Sequence, residues 1–151
     1  MKDRVTRQCV NDFLVAFYAG DVDRAVACCA DDVDTITYAP IELFPHLGHQ
    51  RGKPWVREAI RIQQQRYARR RAEITFMAVE DDKAATTIRV ALEKRSDQRV
   101  VQFEIADFFT LRDGQIVTHR SFFDSFDLVQ QVLGRDLTDA FAASVQDAMQ
   151  L

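Results

Sequence analysis

The chain predicts an α+β fold, with helices gathered on one face of a curved antiparallel sheet, and three observations carry that expectation. Apolar residues recur at helical spacing near both ends of the chain. Between them, residues 72–80, 84–95, 99–111 and 115–124 read as four strands. The strands are separated by Asp81-Asp82, Ser96-Asp97 and Asp113-Gly114, each a tight-turn composition. Consecutive short turns dictate an antiparallel meander, and segregation of helices from strands marks α+β. A strongly curved sheet closed by helices encloses a pocket, the usual form of a small-molecule site.

The elements follow in order. Val5, Cys9, Val10, Phe13, Leu14 and Phe17 form one face of a first helix over residues 3–18, which Gly20 ends. Asp21 caps a short second helix with Val22, Ala25, Val26 and Cys29 on its apolar face. Asp31-Asp32 leads into a strand, Val33 to Tyr38, in which Val33, Thr35 and Thr37 share one side. Residues 39–53, with Pro40, Pro45, Gly48 and Gly52, read as a long loop forming a cavity rim or lid. Pro54 opens a third helix running to about Arg69. After the meander come a helix from Ser125 to Leu133, a Gly134 stop, and a last helix capped by Asp136 with Leu137, Phe141, Val145 and Ala148 on one face.

At 151 residues the chain suits one domain, 1–151, with no repeat or linker. It is 47% hydrophobic and 28% charged, the balance of a globular protein. A net charge of -3 and a pI of about 5.6 give no field for nucleic acid or an anionic membrane. The basic cluster Arg66, Arg69, Arg70 and Arg71 is expected at a helix end, where cations complement the dipole. Cys9, Cys28 and Cys29 are odd in number and lack framework spacing, which points to a reducing compartment. With no signal-like apolar run after Met1, the cytoplasm is the expected location. His46 and His49, even with Glu42, do not make a metal set in a Pro/Gly loop, so none is expected.

The chemical clue is Asp107. Phe103, Ile105, Asp107, Phe109 and Leu111 share one face of a strand, and an ionised carboxylate there needs a partner or a proton. Reading Arg112-Asp113-Gly114 as a three-residue loop pairs Leu111 with Gln115 and sets Asp107 opposite His119. Phe17, Trp55 and Tyr67 are candidate cavity aromatics. Ile88, Val90 and Leu92, if on the convex face, would form an apolar patch that a homodimer through the sheet would bury.

Several segments resemble the nuclear transport factor 2-like superfamily, especially its SnoaL-like and ketosteroid isomerase-like branches. They are Phe17-Tyr18-Ala19-Gly20-Asp21, Ala30-Asp31-Asp32-Val33, Gly52, and Phe109 to Ile116 followed by Phe122-Phe123-Asp124. The resemblance implies a cone-shaped sheet. It puts Asp107 where isomerases hold an oxyanion-hole aspartic acid and SnoaL-type polyketide cyclases an acid/base aspartate, and it matches His119 to a cyclase pocket histidine. The isomerases' helix tyrosine corresponds to Phe13 and their base aspartate to Thr37, so classical ketosteroid isomerisation is not expected. The epoxide hydrolases' arginine is Arg89, but Ala91 and Ser121 stand where their two carboxylates should be. Thr35, Thr37, Arg89 and Ser121 are left as pocket polar groups, beside Phe13, Phe103, Ile105, Phe109 and Phe123.

The expected function is cofactor-free acid/base catalysis of the isomerase, cyclase or lyase type on a small apolar, carbonyl-containing ligand. Asp107 and His119 would move the proton. The alternative is a non-catalytic ligand-binding or dimerisation domain of the same fold.

Overall fold

The computed structural model describes residues 1–149. Its elements are α1 (Lys2–Ala19), α2 (Val22–Ala27), β1 (Cys29–Tyr38), β2 (Gly48–Arg51), α3 (Lys53–Arg66), β3 (Tyr67–Glu80), β4 (Lys83–Lys94), β5 (Val100–Arg112), β6 (Gln115–Phe122), α4 (Ser125–Leu133) and α5 (Thr138–Met149). The strands form one curved, unclosed sheet in the order β2-β1-β6-β5-β4-β3. The α+β expectation holds, with the N-terminal helices on the concave face. One pairing departs from the antiparallel plan: β1 runs parallel to β6.

Local chemistry explains the boundaries. α1 ends in a Schellman turn: Gly20 takes φ 80°, and the Asp21 amide donates to the Ala16 carbonyl at 2.9 Å. The Asp21 carboxylate then accepts from the Arg24 amide, capping α2. Thr6 Oγ1 donates to the Asp81 carbonyl at 2.6 Å and the Asp3 carboxylate accepts the Asp81 amide, which ties α1 to the β3–β4 turn.

Several expectations need correction. The long loop contains β2, which pairs with β1 from Asp34↔Arg51 to Thr37↔Gly48. Asp34 holds that edge together through ion pairs with His49, Arg51 and Arg120, and the hydrogen bonds from His49 and then Arg120 depress its carboxyl below the usual range. α3 stops at Arg66, so Arg69, Arg70 and Arg71 belong to β3 and not to a helix end. The β5–β6 turn has two residues, Asp113 (φ 53°) and Gly114 (φ 76°), between paired Arg112 and Gln115. That is the turn whose twist matches antiparallel strands. Beyond it Val117 is left over as a bulge, since Leu111 pairs with Ile116 but Thr110 pairs with Thr118.

The core lies between the concave face and the helices, with Val10, Phe13, Leu14, Val56 and Ile60 facing Ile88, Val90, Leu92, Ile105 and Ile116. Ile88, Val90 and Leu92 are at most 3% exposed. They therefore supply core and not the expected convex patch, and the alternating partner Arg89 is sent outward. α4 lies over the sheet end through Leu128, and Lys94 and Arg99 donate to its last carbonyls at Gln131 and Val132. α5 follows the αL stop at Gly134, and the Asp136 carboxylate accepts the Thr138 amide. No residue of α5 is buried, so its apolar stripe stays on the surface.

Opposite facing of neighbours on β4 has a measurable consequence. Ile88→Ala should lower unfolding free energy by about 3 kcal/mol, and Arg89→Ala by less than about 1 kcal/mol. Urea unfolding of the two variants checks this, and similar losses would contradict the stated facing.

Candidate functional site

Strand register builds the site row by row. Across β1, β6, β5 and β4, Thr37 pairs with Ser121, Ser121 with Asp107, and Asp107 with Thr86. The adjoining inward row is Thr35, His119, Phe109 and Ala84. Asp107 is therefore opposite Ser121, and His119 opposite Phe109, which corrects the register expected from a three-residue loop. His119 still reaches Asp107, because same-face residues two apart are diagonal neighbours across strands. The bulge at Val117 makes this work. An unbroken count from Leu111↔Ile116 would turn Thr118 and Arg120 inward, and the extra residue substitutes His119 and Ser121.

His119 Nε2 lies 2.8 Å from Asp107 Oδ1, and Ser121 Oγ donates to the same oxygen at 2.6 Å. Ser121 Oγ and His119 Nε2 are 3.2 Å apart, closing a triangle around one carboxylate oxygen. Asp107 Oδ2 is buried with no partner among the described residues, as is the hydroxyl of its cross-strand neighbour Thr86. The imidazole is fixed by aromatics: Phe109 stacks on it at 4.4 Å and 15°, and Phe13 meets it edge-on at 5.5 Å. Asp107 and His119 side chains are 3% and 13% exposed, so the pair sits in low dielectric.

The pair forms part of the wall of a cavity of about 140 Å³. A space of that order accepts a small aromatic ring. Of the expected site residues, Phe13, Phe17, Thr35, Thr37, Trp55, Phe103, Ile105, Asp107, His119, Ser121 and Phe123 all line it. Phe109 stands behind His119 as its stacking partner. Arg89 is not brought in: it lies on the outer face, 62% exposed, 3.6 Å from both Glu73 and Glu104. With Ile88 and Val90 turned inward, strand alternation leaves it no other side. The two loop histidines part, His49 joining Asp34 on the sheet edge and His46 lining the cavity.

Among the lining residues not singled out for the site from the sequence, Tyr18, His46, Gln63 and Arg66 bear polar groups. Tyr18 extends the α1 stripe one turn beyond Leu14, and its phenol is held protonated first by burial and then by the charge of Asp107. His46 is fixed by its carbonyl, which accepts from Trp55 Nε1 at 2.8 Å. Gln63 and Arg66 project from α3 at the helical spacing of Ala59 and Ile62. That spacing was the signal available for both. Burial, and then Arg66, pushes the His46 imidazole below its ordinary 6.5.

The comparisons agree with this geometry. The SnoaL-like domain profile matches residues 10–119, most of the chain. A protein from Rhodopseudomonas palustris provisionally named an isomerase superposes with a TM-score of 0.74 at 28% identity, over 83% of this chain and 93% of its own. An LEH-like epoxide hydrolase from M. tuberculosis gives 0.73 at 21% identity, over 94% and 99%. A protein of ketosteroid isomerase-like fold from Catenulispora acidiphila, solved with trimethylamine, gives 0.73 at 11% identity, over 87% and 95%. No functionally curated protein matches the chain. The chain belongs to the SnoaL-like domain family, and its fold is ketosteroid isomerase-like.

A buried imidazole with a lowered pKa binds its proton more readily when the chain unfolds, so its contribution to stability is lost as pH falls through 6.5. Moving from about pH 7.5 to about pH 5 should destabilise the native chain more than His46→Gln. Urea midpoints at the two pH values measure the difference, and equal drops would refute this environment for His46.

Proposed function

We propose that this chain, acting as a single domain over residues 1–151, catalyses cofactor-free proton transfer next to a carbonyl on a small, largely apolar molecule. The observation that carries the reading is the buried carboxylate on the cavity wall, with Oδ1 held by His119 and Ser121 and Oδ2 unpartnered. An Asp-His pair in low dielectric can take a proton from a carbon beside a carbonyl and return it at another atom. The developing enolate oxygen needs a donor, and the protonated Tyr18 phenol and the His119 ring are the candidates on the same wall. Such a step belongs to isomerase, cyclase or lyase chemistry. Three free thiols, Cys9, Cys28 and Cys29, support work in a reducing cytoplasm.

The likeness to a provisionally named isomerase supports a reaction of this kind. One observation favours the alternative of ligand binding without chemistry: Asp107 is so buried that Ser121 and His119 already satisfy one of its oxygens. The readings separate on exchange of the α-protons of acetophenone for deuterium, followed by NMR. Native protein should accelerate exchange, and Asp107→Asn, checked for native melting, should lose at least about 100-fold of that acceleration. Binding without exchange in the native protein, or exchange unchanged in Asp107→Asn, would remove the catalytic reading.

We also propose a homodimer through the outer sheet face. The support is an exposed aromatic cluster there, in which Tyr38 stacks on Phe122 at 4.3 Å and Phe108 meets Phe122 edge-on at 5.8 Å. All three are between 42% and 48% exposed. Sedimentation should find a dimer for the native chain and a monomer for Phe122→Asp. A native monomer would overturn the assignment.

A further inference from the structure

The cavity has a second polar end, which the acid/base reading does not use. α3 contributes Gln63 and Arg66 to its wall, and the loop before β2 contributes His46. Gln63 Oε1 and His46 Nδ1 are buried atoms with no hydrogen-bond partner among the described residues. Arg66 lies close enough to His46 to disfavour its protonation, is exposed to solvent, and makes no side-chain hydrogen bond or ion pair with a described residue. The acidic neighbour of His46, Glu58, is engaged by Arg61. The uncompensated charge at this end is therefore positive.

Register locates it away from Asp107. Tyr67, directly after Arg66, pairs with Lys94, and the next residue along β4, Glu93, pairs with Val100 at the start of β5. Asp107 is seven residues further along β5, about 23 Å of strand at about 3.3 Å per residue. Side chains reaching in from both ends span part of that length, and the wall between them is apolar, formed by Phe17, Trp55, Phe103 and Ile105.

We propose that the cavity takes an elongated carbonyl compound bearing a carboxylate at its far end, with the carboxylate bound by Arg66, His46 and Gln63. This rests on the reading that a carbonyl lies against Asp107 and His119. A carboxylate fits what the three residues leave open. Guanidinium offers a planar donor fork. The neutral imidazole donates from Nδ1 in one tautomer, and rotation of the Gln63 amide replaces its unpartnered oxygen with an N–H donor. An uncharged apolar chain end would leave both buried atoms unsatisfied.

The test uses 7-oxooctanoate, a slender unbranched keto acid, and its methyl ester as probes, with binding read from the fluorescence of Trp55, the single tryptophan and a cavity-wall residue. The native protein should bind the acid about tenfold more tightly than the ester, the scale of a charge-assisted hydrogen bond. Arg66→Gln should abolish that preference, while Arg69→Gln, whose side chain pairs with Glu93 on β4, should keep it. Equal binding of acid and ester, binding of neither, or a preference that survives Arg66→Gln overturns the proposal. α-Proton exchange of the bound ketone is measured in parallel. Acid preference without exchange leaves this inference standing and removes the acid/base reading, and exchange without acid preference does the reverse.

Discussion

Taking the Asp107 carboxylate out of water is the constraint around which the rest of the site is arranged. A buried charge costs several kcal/mol unless its hydrogen bonds are remade inside. Here the repair comes from one neighbouring strand, through Ser121 and His119 on the same oxygen. That requires β6 to show these two residues to the concave face, and β1 to lie beside it with Thr35 and Thr37 in the same rows. The parallel pairing of β1 with β6 supplies the second condition. A polar row is thereby set into a wall that Phe13, Phe103, Ile105 and Phe109 otherwise make apolar.

The same wall holds the pair in one geometry. Phe109 stacked on the imidazole and Phe13 at its edge leave the ring little freedom, so its geometry against Asp107 is set before any ligand arrives. Outside, the sheet is governed by different chemistry. Asp34 gathers three basic side chains at one edge, and Arg89 bridges Glu73 and Glu104 across the strands. The two faces divide cleanly because strand alternation allows no residue to serve both.

Much of this was legible in the sequence. Helical spacing located α1, Gly20 and Asp21 marked its end, and the Asp107 stripe singled out a carboxylate that is buried on the inner face. Alternation alone also held the answer for Arg89, since Ile88, Val90 and Leu92 are the core residues of that strand; the family resemblance pulled the arginine inward, and packing keeps it out. Illegible features depend on contacts distant in sequence. β2 is a short strand after a loop that carries Pro40 and Pro45, and its only warrant is its pairing with β1. Arg66 and His46 lie twenty residues apart, and nothing local announces that a loop and a helix end will share one wall. The hairpin register failed by the smallest margin available, one residue in the turn and one in the bulge, and both left composition unchanged.

The extra residue at Val117 has a consequence for how this site can change over evolutionary time. Because its exclusion from the ladder sets which alternate residues of β6 look inward, the lining of the cavity is encoded in strand register as well as in side-chain identity. Straightening of the bulge, with Val117 drawn into the ladder and no residue lost, would present threonine and arginine to the inner face in place of histidine and serine, whereas deletion of Val117 would leave histidine and serine facing inward. A histidine–carboxylate contact would give way to an arginine–carboxylate ion pair with every residue still in the chain. Divergence at this position is thus open to a shift of pairing alone, a route that comparison of aligned residues one by one does not detect.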